Sequence, residues 1–303
     1  MRNSFRSRTV GAALALALVA VSCAPGGGGA DEPIIVSSFG FNESVIVAEI
    51  YAQALEQAGF TVDRKLNLGN REVVKPALES GEIDLVPEYI GTLDSFLGGS
   101  PTSDSESTYQ EAKSLFEPLG VTLLAYSPAQ DKNAYVVTGE TAAQYGLASV
   151  SDLQPVAGEL VFGGPPECPE REFCLIGLRD LYGLEFAEFK PLDVAGPITI
   201  AALEGGEVDV ALLFSSQGII AERGWVVLDD DRGLNPAENL VPAIRLDVVE
   251  THGTDLVSVL EAVSLALTQG DLIELNKRAD LDGEDPGLLA AEWLEAQGFD
   301  FGN

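Results

Sequence analysis

The sequence predicts an α/β protein built as two similar halves, and two observations carry that reading. The first is an internal repeat. Ala77-Leu78-Glu79-Ser80-Gly81-Glu82-Ile83-Asp84-Leu85 returns as Ala202-Leu203-Glu204-Gly205-Gly206-Glu207-Val208-Asp209-Val210, an offset of 125 residues from position 77 to position 202. Each copy reads as a helix end, a glycine stop and a short apolar strand. The second is upstream at the same offset, where Ile34-Ile35-Val36-Ser37 corresponds to Glu159-Leu160-Val161-Phe162, both short buried-strand patterns. Strands alternating with helices favour largely parallel sheets.

In the first half, Asn42 is placed to cap a helix with an apolar face of Val47, Ile50, Tyr51, Ala54, Leu55 and Ala58, which Gly59 stops. A strand from Phe60 to Leu68 follows. In such sheets ligands gather beyond the carboxyl ends of strands. The repeat puts Tyr89 and Phe214 at matching positions there, and matches the loop Phe39 to Glu43 with the loop Gly164 to Cys168. These groups line a cleft if the halves face each other; Tyr89 and Phe214 read equally well as core aromatics.

The N-terminus carries Arg2, Arg6 and Arg8, an apolar run from Val10 to Val21, then Ser22 and Cys23. That is the layout of a signal peptide over residues 1–22, whose apolar run of 12 residues is too short for the roughly 20 a membrane span needs. Ala20-Val21-Ser22-Cys23 resembles a bacterial lipoprotein signal, with Ala20 where leucine is commoner. The resemblance implies that Cys23 is acylated and becomes the first mature residue; the alternative is an ordinary secretory signal with an incidental cysteine. Residues 23–32 are glycine-rich and read as a flexible tether, with folded structure starting near Pro33.

The formal charge of −31 makes nucleic acid an unfavourable partner and suits a soluble exported protein. Of three cysteines, Cys168 and Cys174 remain after Cys23. In an oxidising compartment they favour a short disulfide. The competing metal site lacks ligands, because the only histidine, His252, is distant in sequence and reads as a surface residue before a helix capped by Thr254. No metal or cofactor is expected. Enzymatic chemistry is disfavoured by the absence of a G-x-S-x-G, a P-loop or a histidine cluster.

Asn67-Leu68-Gly69, Val73-Val74, and the run from Ala77-Leu78 through Gly81-Glu82-Ile83-Asp84-Leu85-Val86-Pro87-Glu88-Tyr89-Ile90-Gly91-Thr92 resemble the osmoprotectant-binding proteins of ABC importers, the receptors for glycine betaine, choline and carnitine. The resemblance continues through Asp152-Leu153, Gly163 to Cys168, Gly205 to Asp209, Leu275-Asn276, Asp285-Pro286 and Trp293-Leu294. It implies a type II periplasmic-binding-protein fold, two α/β lobes with a ligand cleft between them. Lobe 1 would comprise residues 33–134 plus 243–303 and lobe 2 residues 135–242, with crossovers near Ala134 to Val137 and Pro236 to Ile244.

The family holds a quaternary ammonium in aromatic walls, since a methylated cation has no N–H to donate and is drawn to ring faces. Tyr89 matches one cage tyrosine and Tyr135 resembles a second. Phe214 stands where another aromatic is usual. Arg171 matches the family's carboxylate-binding arginine, or belongs to a solvated cluster with Glu170 and Glu172. The second crossover departs from the family: it has Glu238 and Asn239 where a cage tyrosine is usual, which would favour a pure cation such as choline. Phe41, Asn42, Asn70, Thr92, Asn133 and Gln217 complete the expected ligand set. The implied partners are a small quaternary amine or related solute, ABC permease subunits, and the outer face of the cytoplasmic membrane through the lipid. A monomer is expected, and a solute-sensing lipoprotein with the same cleft is the alternative.

Overall fold

A computed structural model of the chain describes Met1 and residues 32–300. The expected signal peptide, Cys23 and the tether up to Asp31 lie outside the described residues.

The repeat folds as two five-stranded sheets of the same order. The first runs β2 (Val62–Lys65), β1 (Ile34–Ser37), β3 (Leu85–Tyr89), β10 (Leu240–Arg245), β4 (Val121–Leu123). The second runs β7 (Glu188–Pro191), β6 (Val161–Gly164), β8 (Val210–Phe214), β5 (Asn133–Val137), β9 (Val226–Val227). Three parallel strands in each are joined by one antiparallel strand that arrives from the other lobe, β10 beside β3 and β5 beside β8. In lobe 1 the helices are α1 (Asn42–Gln57), α2 (Arg71–Ser80), α3 (Ile90–Phe96) and α4 (Ser105–Phe116). Lobe 2 has α5 (Gly139–Tyr145), α6 (Gly177–Tyr182), α7 (Pro197–Glu204) and α8 (Ile219–Glu222). The chain ends with α9 (Leu246–Ala266), α10 (Gln269–Asp280) and α11 (Pro286–Ala296), which enclose α1 and complete the first lobe's core.

The repeat has a common physical basis. Gly81 ends α2 in the left-handed region (φ 77), and Gly206 takes the same conformation (φ 68) after α7. Asp84 then accepts the Ile35 N–H at 2.9 Å, and Asp209 accepts the Val161 N–H at 2.8 Å, so each aspartate ties the start of one parallel strand to its neighbour. The register differs from the expectation by one residue. Ile35 is equivalent to Val161 rather than Leu160, because the second half carries one residue fewer between its first strand and the aspartate.

Three local expectations are corrected. Asn42 does not cap α1: it is the first helical residue, and its amide donates to Asp280 at 2.7 Å. The strand expected over Phe60 to Leu68 shortens to β2, because Asn67 (φ 56) and Gly69 (φ 132) turn the chain toward the β1 loop, where the Gly40 N–H bonds the Gly69 carbonyl. His252 is half-buried with its ring edge on Phe60, inside an α9 that breaks at Gly253 (φ 71) rather than starting at a Thr254 cap.

The chain crosses between lobes through residues 124–132 and 228–239. Gln130 and Asn239 form an antiparallel bridge there, with the Asp131 N–H on the Glu238 carbonyl at 3.0 Å. The crossovers therefore precede the positions expected for them. Asn133 and Ala134 already pair with Phe214 and Leu213 in the second sheet, and Leu240 to Pro242 already pair with β3 in the first. Cys168 and Cys174 are joined by a disulfide with Cα atoms 5.3 Å apart, closing the loop after β6.

The repeated glycines generate a prediction. Gly206→Ala should cost about 1–2 kcal/mol, the strain of a left-handed alanine, because a Cβ there meets nothing within 4 Å. Gly81→Ala should cost more, because its Cβ would displace Arg245, which pairs with Asp84. Urea denaturation of both variants checks this; equal costs would show that Arg245 moves aside freely.

Candidate functional site

The carboxyl ends of the parallel strands in the two sheets face each other across a cleft of about 640 Å³. Loops that follow β1 and β6, the start of α2, the ends of β3 and β8, and the crossing segments line it. Of the expected residues, Phe41, Asn70, Tyr89, Thr92, Asn133, Arg171, Phe214 and Glu238 line this cleft. Asn42 and Gln217 line a polar annex of about 140 Å³ beside it.

The apolar wall is a chain of rings. Phe39 and Phe41 stack at 6.1 Å, Tyr89 lies 6.4 Å from Phe39 and 6.1 Å from Phe41, and Phe41 meets Phe214 of the other lobe at 5.3 Å. Tyr89 is buried with its hydroxyl donating to Glu43 at 2.8 Å. Burial, then the nearby Glu43 and Asp131, raises that hydroxyl well above its ordinary range, so it stays a neutral donor.

Two expected residues are not at the surface of the cleft. Tyr135 sits one layer behind it, 1% exposed, because the disulfide loop folds over it and the Phe173 carbonyl takes both its hydroxyl (3.1 Å) and the Asn133 amide (2.7 Å). Asn239 is buried in the crossing with its amide on the Ser127 carbonyl at 2.9 Å. Glu238 does line the cleft, but its oxygens accept the Gly91 and Thr92 N–H groups at 3.1 and 2.8 Å, where they serve the first turn of α3.

Arg171 reaches across the mouth of the cleft to pair with Glu72 of lobe 1 and lies 5.3 Å from the Phe96 ring. Its neighbour Glu172 accepts from Ser95 at 2.8 Å, so this loop and lobe 1 meet at the rim.

The residues missed by sequence reasoning are Arg71 and Asp131, with Phe96 in the walls; Phe39 and Glu43 fall in the loop expected to line the cleft, with no role assigned to either. Arg71 is held between Phe39 (5.4 Å) and Phe96 (5.9 Å), with Nε and Nη2 on Glu88 at 3.0 and 2.7 Å and Nη2 also on Thr92 at 2.9 Å. Its Nη1 has no partner among the described residues. Burial opposes its charge, but Glu88, with Glu238 and Glu72, more than offsets that, so a fixed guanidinium lines the cleft. Its position directly after the Asn67–Asn70 loop was the available signal.

Rings from both lobes, an anchored guanidinium and a surrounding excess of carboxylates suit a compact solute with a cationic apolar end and an anionic end. An α/β protein of two lobes with such a cleft between them is a solute-binding protein. The chain belongs to the family of the substrate binding domain of ABC-type glycine betaine transport systems, matched over residues 32–296. The glycine betaine-binding protein YehZ of Escherichia coli (strain K12) is 27% identical over 282 residues, spanning 89% of this chain and 92% of its own. The carnitine transport binding protein OpuCC of Listeria monocytogenes serotype 1/2a (strain 10403S) is 27% identical over 285 residues, 92% of each chain. A solved glycine betaine/carnitine/choline ABC transporter structure shares the fold with TM-score 0.70 at 24% identity, covering 88% of this chain and 98% of that one.

The cleft also titrates. Burial pushes the Glu238 carboxyl up to about 8, against the opposing pull of Arg71 and two N–H groups. A carboxyl raised on folding contributes stability that is full below its unfolded value and is lost as pH rises through its folded value. Folding stability should therefore decline between about pH 4.5 and 8, and Glu238→Gln should flatten that decline. Urea unfolding across the range checks it; an unchanged slope would remove Glu238 as the source.

Proposed function

We propose that this protein captures a small solute bearing a quaternary ammonium group outside the cytoplasm and delivers it to the permease of an ABC importer. The observation that carries this reading is the contact of Phe41 and Phe214, one from each lobe, backed by Phe39 and Tyr89. A trimethylammonium group needs no hydrogen-bond acceptor and gains most from several ring faces at once. Walls drawn from both lobes make closure and binding one event, because only the closed cleft presents both sides.

The second crossover contributes no ring, and the first loop supplies Phe39 and Phe41 instead. Glu238 is bound to α3, so it does not stand free to repel a ligand carboxylate. The anionic end falls to Arg71 and Arg171. The volume lies within the ~300–1,000 Å³ of ordinary small-molecule sites, which accommodates glycine betaine, the ligand named for one relative, and carnitine, named for another. Cys23, acylated, would tether the protein to the outer face of the cytoplasmic membrane and raise its effective concentration near the permease. Mass spectrometry of the mature N-terminus tests this, an unacylated terminus elsewhere being the contrary result.

Titration calorimetry with glycine betaine, carnitine and choline tests the ligand class. At least one should bind, and Tyr89→Ala and Phe214→Ala should each weaken it more than about tenfold, a desolvated cation–π contact contributing about 2 kcal/mol. Binding by none of the three, or unchanged affinity in both variants, would refute the assignment.

A further inference from the structure

Glu43 is the second residue of α1 and lies behind the ring wall, 4% exposed. Its Oε1 accepts the Tyr89 hydroxyl, and its Oε2 accepts from Ser216 Oγ of lobe 2 and from the Asn276 amide of α10. Ser216 Oγ also lies 2.7 Å from Oδ1 of Asp131, a crossing-segment residue that is 6% exposed and lines the cleft. A hydroxyl has one hydrogen and cannot donate to two carboxylates at once. The contacts are all satisfied when one of the two carboxyls carries a proton, so that the pair behaves as one acid with one charge.

The charged neighbours on the surrounding elements are Glu88 in β3 with its partner Arg71, and Asp280 on α10, which lines the annex with Glu43. Burial raises both carboxyls, and the charge of Glu43 raises Asp131 further. The pair spans lobe 1, the crossing segment and lobe 2, and touches the cleft through Asp131 and through the Tyr89 ring.

We propose that Glu43 is a positioning residue for the ammonium site, acting through Tyr89, and that the proton it shares with Asp131 is partly released when a cation is captured. This rests on the quaternary-ammonium reading above. A cation against the ring favours the ionised pair behind it, and by linkage the ionised pair favours the cation. Affinity for a cation is therefore lower where the pair holds its proton and rises with pH as the proton is lost, by at most about tenfold per pH unit for one proton. Glu43 also fixes the ring: its acceptor oxygen holds the Tyr89 hydroxyl in place and enriches the ring face with electron density.

The test uses choline and glycine betaine, neither of which changes charge between about pH 5 and 9. Calorimetry in two buffers of different ionisation enthalpy reads proton release directly. The intact protein should bind more tightly as pH rises and should release a fraction of a proton. Glu43→Gln keeps an acceptor for Tyr89 but cannot titrate, so it should bind with a flatter pH profile and less release; Asp131→Asn probes the same pair should the first variant not fold. Tight binding without pH dependence or proton release overturns the inference and leaves the ligand class standing, as does a Glu43→Gln profile matching the parent, which would assign the release to Glu238. Failure of both probes, and of carnitine, to bind at any pH overturns the ligand class and this inference with it.

Discussion

Gln130 and Asn239 pair where the chain crosses from one lobe to the other and back, and because β5 and β10 leave that crossing in opposite directions, each becomes the antiparallel strand of the sheet it enters. The consequence is geometric. The carboxyl ends of both sets of parallel strands are turned toward the crossing, so Tyr89 and Phe214, at the ends of equivalent strands, face one cleft. Two antiparallel segments bonded over a few residues are the connection through which a closure of the proposed kind would have to bend.

Around that cleft the charges are organised so that none is buried alone. Arg71 is paired with Glu88 and stacked between two rings, Glu238 is bonded to backbone N–H groups, and Glu43 and Asp131 are bridged through Ser216. Removing either partner of such a buried pair strands a charge, which costs more than the pair itself contributes. These groups therefore constrain one another, and they keep the ring surfaces free of competing polar contacts. Few cations reach the cleft unpaired, which leaves the field there favourable to a cationic ligand.

Much of this was readable from the chain. The Gly-Glu-hydrophobic-Asp element forecast two lobes because it encodes a left-handed glycine and an aspartate that ties parallel strands together, both local requirements. Tyr89 and Phe214 followed from the repeat. Tyr135 was misplaced because strand position alone does not show that the Phe173 carbonyl, brought over by the Cys168–Cys174 loop, covers it. The crossings were set too late by a few residues since pairing partners, rather than composition, decide where a sheet begins. Arg71, Glu43 and Asp131 owe their roles to contacts between residues far apart in the chain, such as Glu43 with Ser216 and Asn276, which the loops that carry them do not specify.

The position of the bound ammonium group decides between the ring walls and the polar rim. Crystals of the protein grown with glycine betaine or choline should show that group within about 6 Å of the ring centroids of Phe41, Tyr89 and Phe214, with the lobes closed around it. An ammonium bound instead at the Arg171–Glu72 rim or in the annex, with the ring walls empty, would contradict it.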